Sequence, residues 1–137
     1  MKIRLLAAAL AGTSLLAACG KSPPPPPAVP ATELAALETP PPDYPIELAC
    51  AGAGGRSVLT VVVGPEGRPT DVKLTQSSGQ PALDASAQRK VRDWKFRAAT
   101  RNGQPVPQTI QVPVDFKPPQ PRPDECFAIE ERSRRGG

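Results

Sequence analysis

Histidine is absent from the 137 residues. That removes the side chain most used as a general base near neutral pH, and the commonest metal ligand. Cysteine occurs three times, at Cys19, Cys50 and Cys126, in none of the close spacings that hold zinc. Aromatic residues are few: Tyr44, Trp94, Phe96, Phe116 and Phe127. Neither a carboxylate pair nor a nucleophile beside a base can be assembled, so neither an enzyme nor a bound cofactor or metal is expected. The formal charge is +4 and the basic residues are scattered rather than gathered in a stripe, which argues against a nucleic-acid partner. No apolar run reaches the ~20 residues that span a bilayer.

Proline, by contrast, is abundant. There are 20, half of them between Pro23 and Pro45. Length allows one small domain, and a core of that size benefits from a covalent staple.

The chain opens with Lys2 and Arg4 and a short apolar run to Leu16, the pattern of a secretory signal peptide over residues 1–18. Leu16-Ala17-Ala18-Cys19-Gly20 resembles the bacterial lipobox. The resemblance implies that the Cys19 thiol is acylated and becomes the first residue of the mature protein. Several acyl chains, at ~0.8 kcal/mol per buried methylene, would anchor it firmly in a lipid bilayer. Gly20 and Lys21 follow where an aspartate would imply retention at the inner membrane, so the same resemblance places the protein on the periplasmic side of the outer membrane. Loss of Lys2 and Arg4 takes the charge from +4 to +2.

Residues 19–42 read as a lipidated cysteine and a tether. Five consecutive prolines, Pro23 to Pro27, impose polyproline II. At ~3.1 Å per residue, residues 20–43 reach ~75 Å. Thr32 to Glu38 has the composition for two helical turns, marginal at that length.

The foldable part follows. Pro45 suits the first turn of a short helix carrying Ile46, Ala49 and Cys50 on one face, with Asp43 as a cap. The glycines at 52, 54 and 55 precede a strand rather than a helix and lack the Lys-Ser or Lys-Thr of a phosphate loop. Ser57 to Val63 is apolar on both faces and predicts a central, covered strand. Gly64-Pro65-Glu66-Gly67 turns the chain into an antiparallel strand from Thr70 to Gln76, with Thr70, Val72 and Leu74 on one face. Pro81 starts a helix whose stripe is Leu83, Ala87, Val91 and Trp94. The basic cluster Arg89, Lys90 and Arg92 reads as a solvated face. After a turn at Asn102-Gly103, Gln108 to Phe116 shows the cleanest alternation in the chain. Ile110, Val112, Val114 and Phe116 face inward; Gln111, Pro113 and Asp115 face outward, with Thr109 near the start. Pro113 cannot donate to a ladder, so this strand is expected at a sheet edge with the missing donor aimed at open space.

Tyr44-Pro45, the valine-rich strand with its Gly-x-x-Gly turn, Ser77-Ser78-Gly79, Leu83-Asp84, Ala87, Trp94-Lys95-Phe96, Gly103 and Val112-Pro113-Val114-Asp115-Phe116 together resemble the TonB C-terminal domain family, over residues 43–117. The resemblance implies an α+β fold in which two helices pack on one face of a three-stranded antiparallel sheet. It also implies that the last strand, Gln108 to Phe116, binds an extended peptide, the TonB box of an outer-membrane receptor, by strand addition. The lipobox stands where energy-transducing members carry a transmembrane helix. So small a sheet is also open to strand exchange into a homodimer.

Residues 118–137 read as a proline-rich tail. With Cys19 acylated, Cys50 and Cys126 remain as an even pair in an oxidising compartment and are expected to bridge, the alternative being two free thiols. Two functions from different classes therefore stand side by side. One is a TonB-like peptide-binding module linked to transport across the envelope. The other is a structural or assembly lipoprotein that binds another envelope component without transducing energy.

Overall fold

The structure, a computed structural model, describes residues 20–137. The signal peptide and the acylation expected at Cys19 lie outside the described residues.

The centre is a three-stranded antiparallel sheet in the order β3-β2-β7, formed by Gly55–Val63 (β2), Pro69–Gln76 (β3) and Gln108–Phe116 (β7). Strand β2 is central, as its valine content predicts. It is covered on one face only. Ser57, Leu59, Val61 and Val63 are buried, whereas Val58, Thr60 and Val62 on the other face are half-buried.

Helices α1 (Ile46–Cys50) and α2 (Pro81–Val91) occupy the covered face. Leu83, Ala87 and Val91 of α2 are fully buried and meet Leu59, Val61, Val63, Val72, Val112, Val114 and Phe116 in one core. Pro81 sits in the first turn of α2, where its missing amide hydrogen costs nothing. Asp43 does not cap α1. Pro45 occupies that position, and the Asp43 carbonyl instead accepts the Ser86 hydroxyl of α2.

Three departures from the sequence-based expectations bear on function. Residues 32–38 are extended rather than helical: β1 (Ala35–Glu38) pairs with β4 (Lys95–Arg97), and Thr32 bridges Thr100. Partner strands satisfy this backbone more fully than two isolated helical turns could. Trp94 adds to the docking by donating its indole N–H to the Pro40 carbonyl at 2.9 Å. A second ribbon, β5 (Ala99–Arg101) with β6 (Gln104–Val106), closes through Asn102 and Gly103, both at positive φ (52° and 75°), as a tight hairpin requires. Last, the tail contains a third helix, α3 (Glu125–Arg135). A Cys50–Cys126 disulfide ties it to α1, with Cα atoms 5.3 Å apart and Cys126 fully buried.

The turn between β2 and β3 is also pinned. Gly67 sits at φ +78°, its carbonyl accepts the Phe96 amide at 2.8 Å, and a Cβ there would run into the Phe96 carbonyl.

Candidate functional site: the open edge of the sheet

A three-stranded sheet has two edges, and here they differ. On β3 the register with β2 shifts at both ends, Pro69 opens the strand, and Asp71 and Lys73 are exposed. Irregular pairing and charge are the devices by which proteins blunt an edge. Strand β7 pairs with β2 residue for residue, Gly55 with Phe116 through to Val63 with Gln108, without a shift. Among the described residues no strand lies on its other side. It is therefore an unbroken, nine-residue edge.

The direction of its backbone groups follows from β2. Thr75 donates its hydroxyl to the Val58 carbonyl (3.0 Å) and Thr70 to the Val62 carbonyl (3.2 Å). Positions 58, 60 and 62 of β2 therefore face β3. Positions 57, 59, 61 and 63 face β7, because backbone groups alternate sides along a strand. Their partners Val114, Val112, Ile110 and Gln108 form the internal ladder. Thr109, Gln111, Pro113 and Asp115 consequently turn their backbone groups to the open side. Pro113 opposes Val58 at a position where the ladder has no bond to lose. Its missing donor leaves the fold intact and makes one gap in the outward series.

The side chains divide as the alternation predicts. Val112, Val114 and Phe116 are buried and Ile110 is half-buried, whereas Thr109, Gln111, Pro113 and Asp115 are exposed. Two contacts hold the C-terminal end of the edge in place. The Tyr44 ring meets Phe116 edge-on, centroids 5.7 Å apart, and its hydroxyl donates to the Ala53 carbonyl at 2.6 Å. Across the strands, Arg56 grips Asp115 with two parallel bonds, Nε to Oδ1 at 2.6 Å and a terminal nitrogen to Oδ2 at 3.0 Å. Hydrogen bonding from Arg56 holds the Asp115 carboxyl below its usual range, against a smaller opposing effect of desolvation. This pair was missed from sequence, since 59 positions separate the partners.

A second polar cluster supports the sheet from beneath. Asp84, in the first turn of α2, is buried. Its carboxylate accepts the Ser57 hydroxyl (2.7 Å), the Ser77 hydroxyl (2.5 Å) and the Ser78 amide (2.8 Å). Burial pushes its pKa up, but those donors outweigh burial and hold it at about 2. It locks β2, α2 and the loop between β3 and α2 together and is structural.

Among the described residues no helix is long and apolar enough to cross a membrane, and no cluster of acidic or sulfur side chains could hold a metal ion.

Residues 40–118 match the family described as Gram-negative bacterial TonB protein C-terminal. The chain is similar to the protein TonB of Xanthomonas campestris pv. campestris (strain B100), 41% identical over 76 residues that cover 56% of this chain and 34% of that protein. It is also similar to protein tonB2 of Pseudomonas aeruginosa, 34% identical over 88 residues covering 64% of this chain and 33% of that protein. The chain thus spans about a third of the length of these curated relatives. The solution NMR structure of the Pseudomonas aeruginosa TonB CTD superposes with a TM-score of 0.55 at 22% identity, over 62% of this chain and 86% of that one. At that identity the likeness speaks for the fold.

Proposed function

The chain belongs to the TonB C-terminal family, and on that footing we propose that it is a peptide-binding module of the periplasm. In this reading β7 receives an extended segment, the TonB box of an outer-membrane receptor, as an added strand, and the module serves transport across the envelope. The observation that carries the reading is the contrast between the two edges: β3 is blunted and β7 is unshifted and open. Backbone pairing would supply the affinity and the side chains beside Thr109, Gln111 and Asp115 the selectivity.

Anchoring belongs to the same proposal. Acylated Cys19 would hold the domain at the periplasmic side of the outer membrane. Docking of residues 32–38 onto β4 and β5 shortens the free leash to residues 20–31. At ~3.1 Å per residue that is ~37 Å, half the span expected from sequence. Such a module docks near its own membrane and does not bridge the envelope. A second copy of the chain is the rival occupant of the edge.

The test is a titration of the full chain with a synthetic peptide copying the N-terminal segment of an outer-membrane receptor. Gln111→Pro removes an outward donor and no ladder bond, so it should weaken binding while the thermal melt stays in place. Absence of binding at millimolar peptide would favour the second reading, a structural or assembly lipoprotein. Membrane fractionation with an acyl label, on wild type and Cys19→Ala, tests the anchor.

A further inference from the structure

We infer that Pro113 is a selectivity device in the β7 edge, penalising self-pairing between two copies of the chain more than it penalises a foreign strand. The inference rests on the proposed peptide-binding reading for its foreign strand, but not for its effect on self-pairing.

An open edge of this length pairs readily with another copy of itself. The guards found on β3 are missing from β7: its register is unshifted, Thr109 and Gln111 are uncharged, and the Asp115 charge is already neutralised by Arg56. In the widest two-fold antiparallel register, Thr109 of one copy faces Asp115 of the other and Gln111 faces Pro113, so no like charges oppose each other. What remains is proline.

Proline at this position removes one outward donor. A foreign strand laid along β7, parallel or antiparallel, finds one of its carbonyls without a partner and leaves it to water. In a two-fold pair the gap occurs twice, because each copy contributes its own Pro113 to the same ladder. The symmetric pair loses two backbone bonds where the guest loses one. The fold itself loses none, since Pro113 opposes Val58 where no bond is made.

Restoring the donor should therefore act unequally. Taking a net ~1 kcal/mol per backbone bond, Pro113→Val should raise the self-association constant about 30-fold and the affinity for the receptor-derived peptide about 5-fold. Sedimentation velocity of the full chain over a concentration series reads the first, and peptide titration reads the second. Pro113→Thr is the companion variant and should behave alike. Unchanged self-association, or a gain no larger than the gain for peptide, would overturn the inference. Unfolding of both variants would overturn it too, because the ladder would then require proline rather than ignore it. If wild type binds no peptide while the variants self-associate, the receptor reading fails and the role of Pro113 in excluding copies stands. If peptide binds while self-association stays unmoved, the receptor reading stands and the role of Pro113 fails.

Discussion

The Ser57 hydroxyl donates to the Asp84 carboxylate at 2.7 Å, joining the central strand to the first turn of α2 at a point closed to solvent. Ser57 carries the one polar side chain on the covered face of β2, and Asp84 is what makes its burial tolerable. Removing the carboxylate strands the Ser57 and Ser77 hydroxyls and the Ser78 amide without an acceptor. Asp84→Ala should therefore cost about 2–4 kcal/mol in a denaturant titration, and Ser57→Ala only about 1 kcal/mol. Equal costs for the two would show that the carboxylate is not the hub.

The same group sets an acid limit. Its pKa falls from an ordinary 3.8 to about 2 on folding, so the native state binds fewer protons than the unfolded chain between those values. That contribution, about 2 kcal/mol, is fully present above pH ~5 and disappears as pH falls through 2. Asp115 acts in the same direction from the surface. The stability of wild type measured from pH 6 to pH 2 should decline more steeply than that of Asp84→Asn.

The Cys50–Cys126 disulfide encloses a loop with a sequence separation of 76. In the chain-entropy model, closing such a loop stabilises by ~4 kcal/mol. Thermal melts with and without reductant should differ accordingly, and amide exchange should quicken in α3 before it quickens in β2. A melt indifferent to reductant would mean that the thiols are free.

Gly67→Ala should be among the more damaging glycine substitutions. It places a side chain at φ +78° and drives it against the Phe96 backbone, which lies one hydrogen bond away. A loss of about 1–3 kcal/mol is expected. The loss should appear as a lower melting temperature while the disulfide stays intact.

Proline scanning along β7 should alternate. Val114 directs its backbone to Ser57, so Val114→Pro breaks the internal ladder and should destabilise by about 1–3 kcal/mol. Gln111→Pro, facing outward, should leave stability within about 1 kcal/mol of wild type. Circular-dichroism melts of the two variants separate an edge from an interior strand without any ligand.

The bounds of β7 were legible because a half-buried strand writes its own period: Ile110, Val112, Val114 and Phe116 alternate with polar residues, and Pro113 could be tolerated only at an edge. Helix α2 was legible for a similar reason, through Pro81 and the Leu83–Ala87–Val91 stripe, but Trp94, expected to continue that stripe, lies beyond the helix end and is half-buried, its indole turned to the Pro40 carbonyl. Residues 35–38 were not. Ala35, Ala36, Leu37 and Glu38 are good helix formers, and their extended state comes from β4, some 60 positions away. The ribbon partner Lys95–Arg97 is too short to carry a period at all. The Asp84 hub was hidden in the same way, since its donors come from β2 and from the loop before α2. Helix α3 did leave a signal: Glu125, Ala128, Glu130, Glu131 and Arg132 all favour helix. Six residues of proline-rich chain immediately before it obscured that signal.

The ribbon at Ala35–Glu38 also decides where the domain is held. Because the chain is fastened there, a Cys19 fixed in lipid would confine β7 to a thin layer beside the membrane instead of the whole compartment. Partners embedded in that membrane would then be met by lateral diffusion. Their local concentration would be set by how densely they populate the surface, so even a millimolar intrinsic affinity could keep the edge occupied.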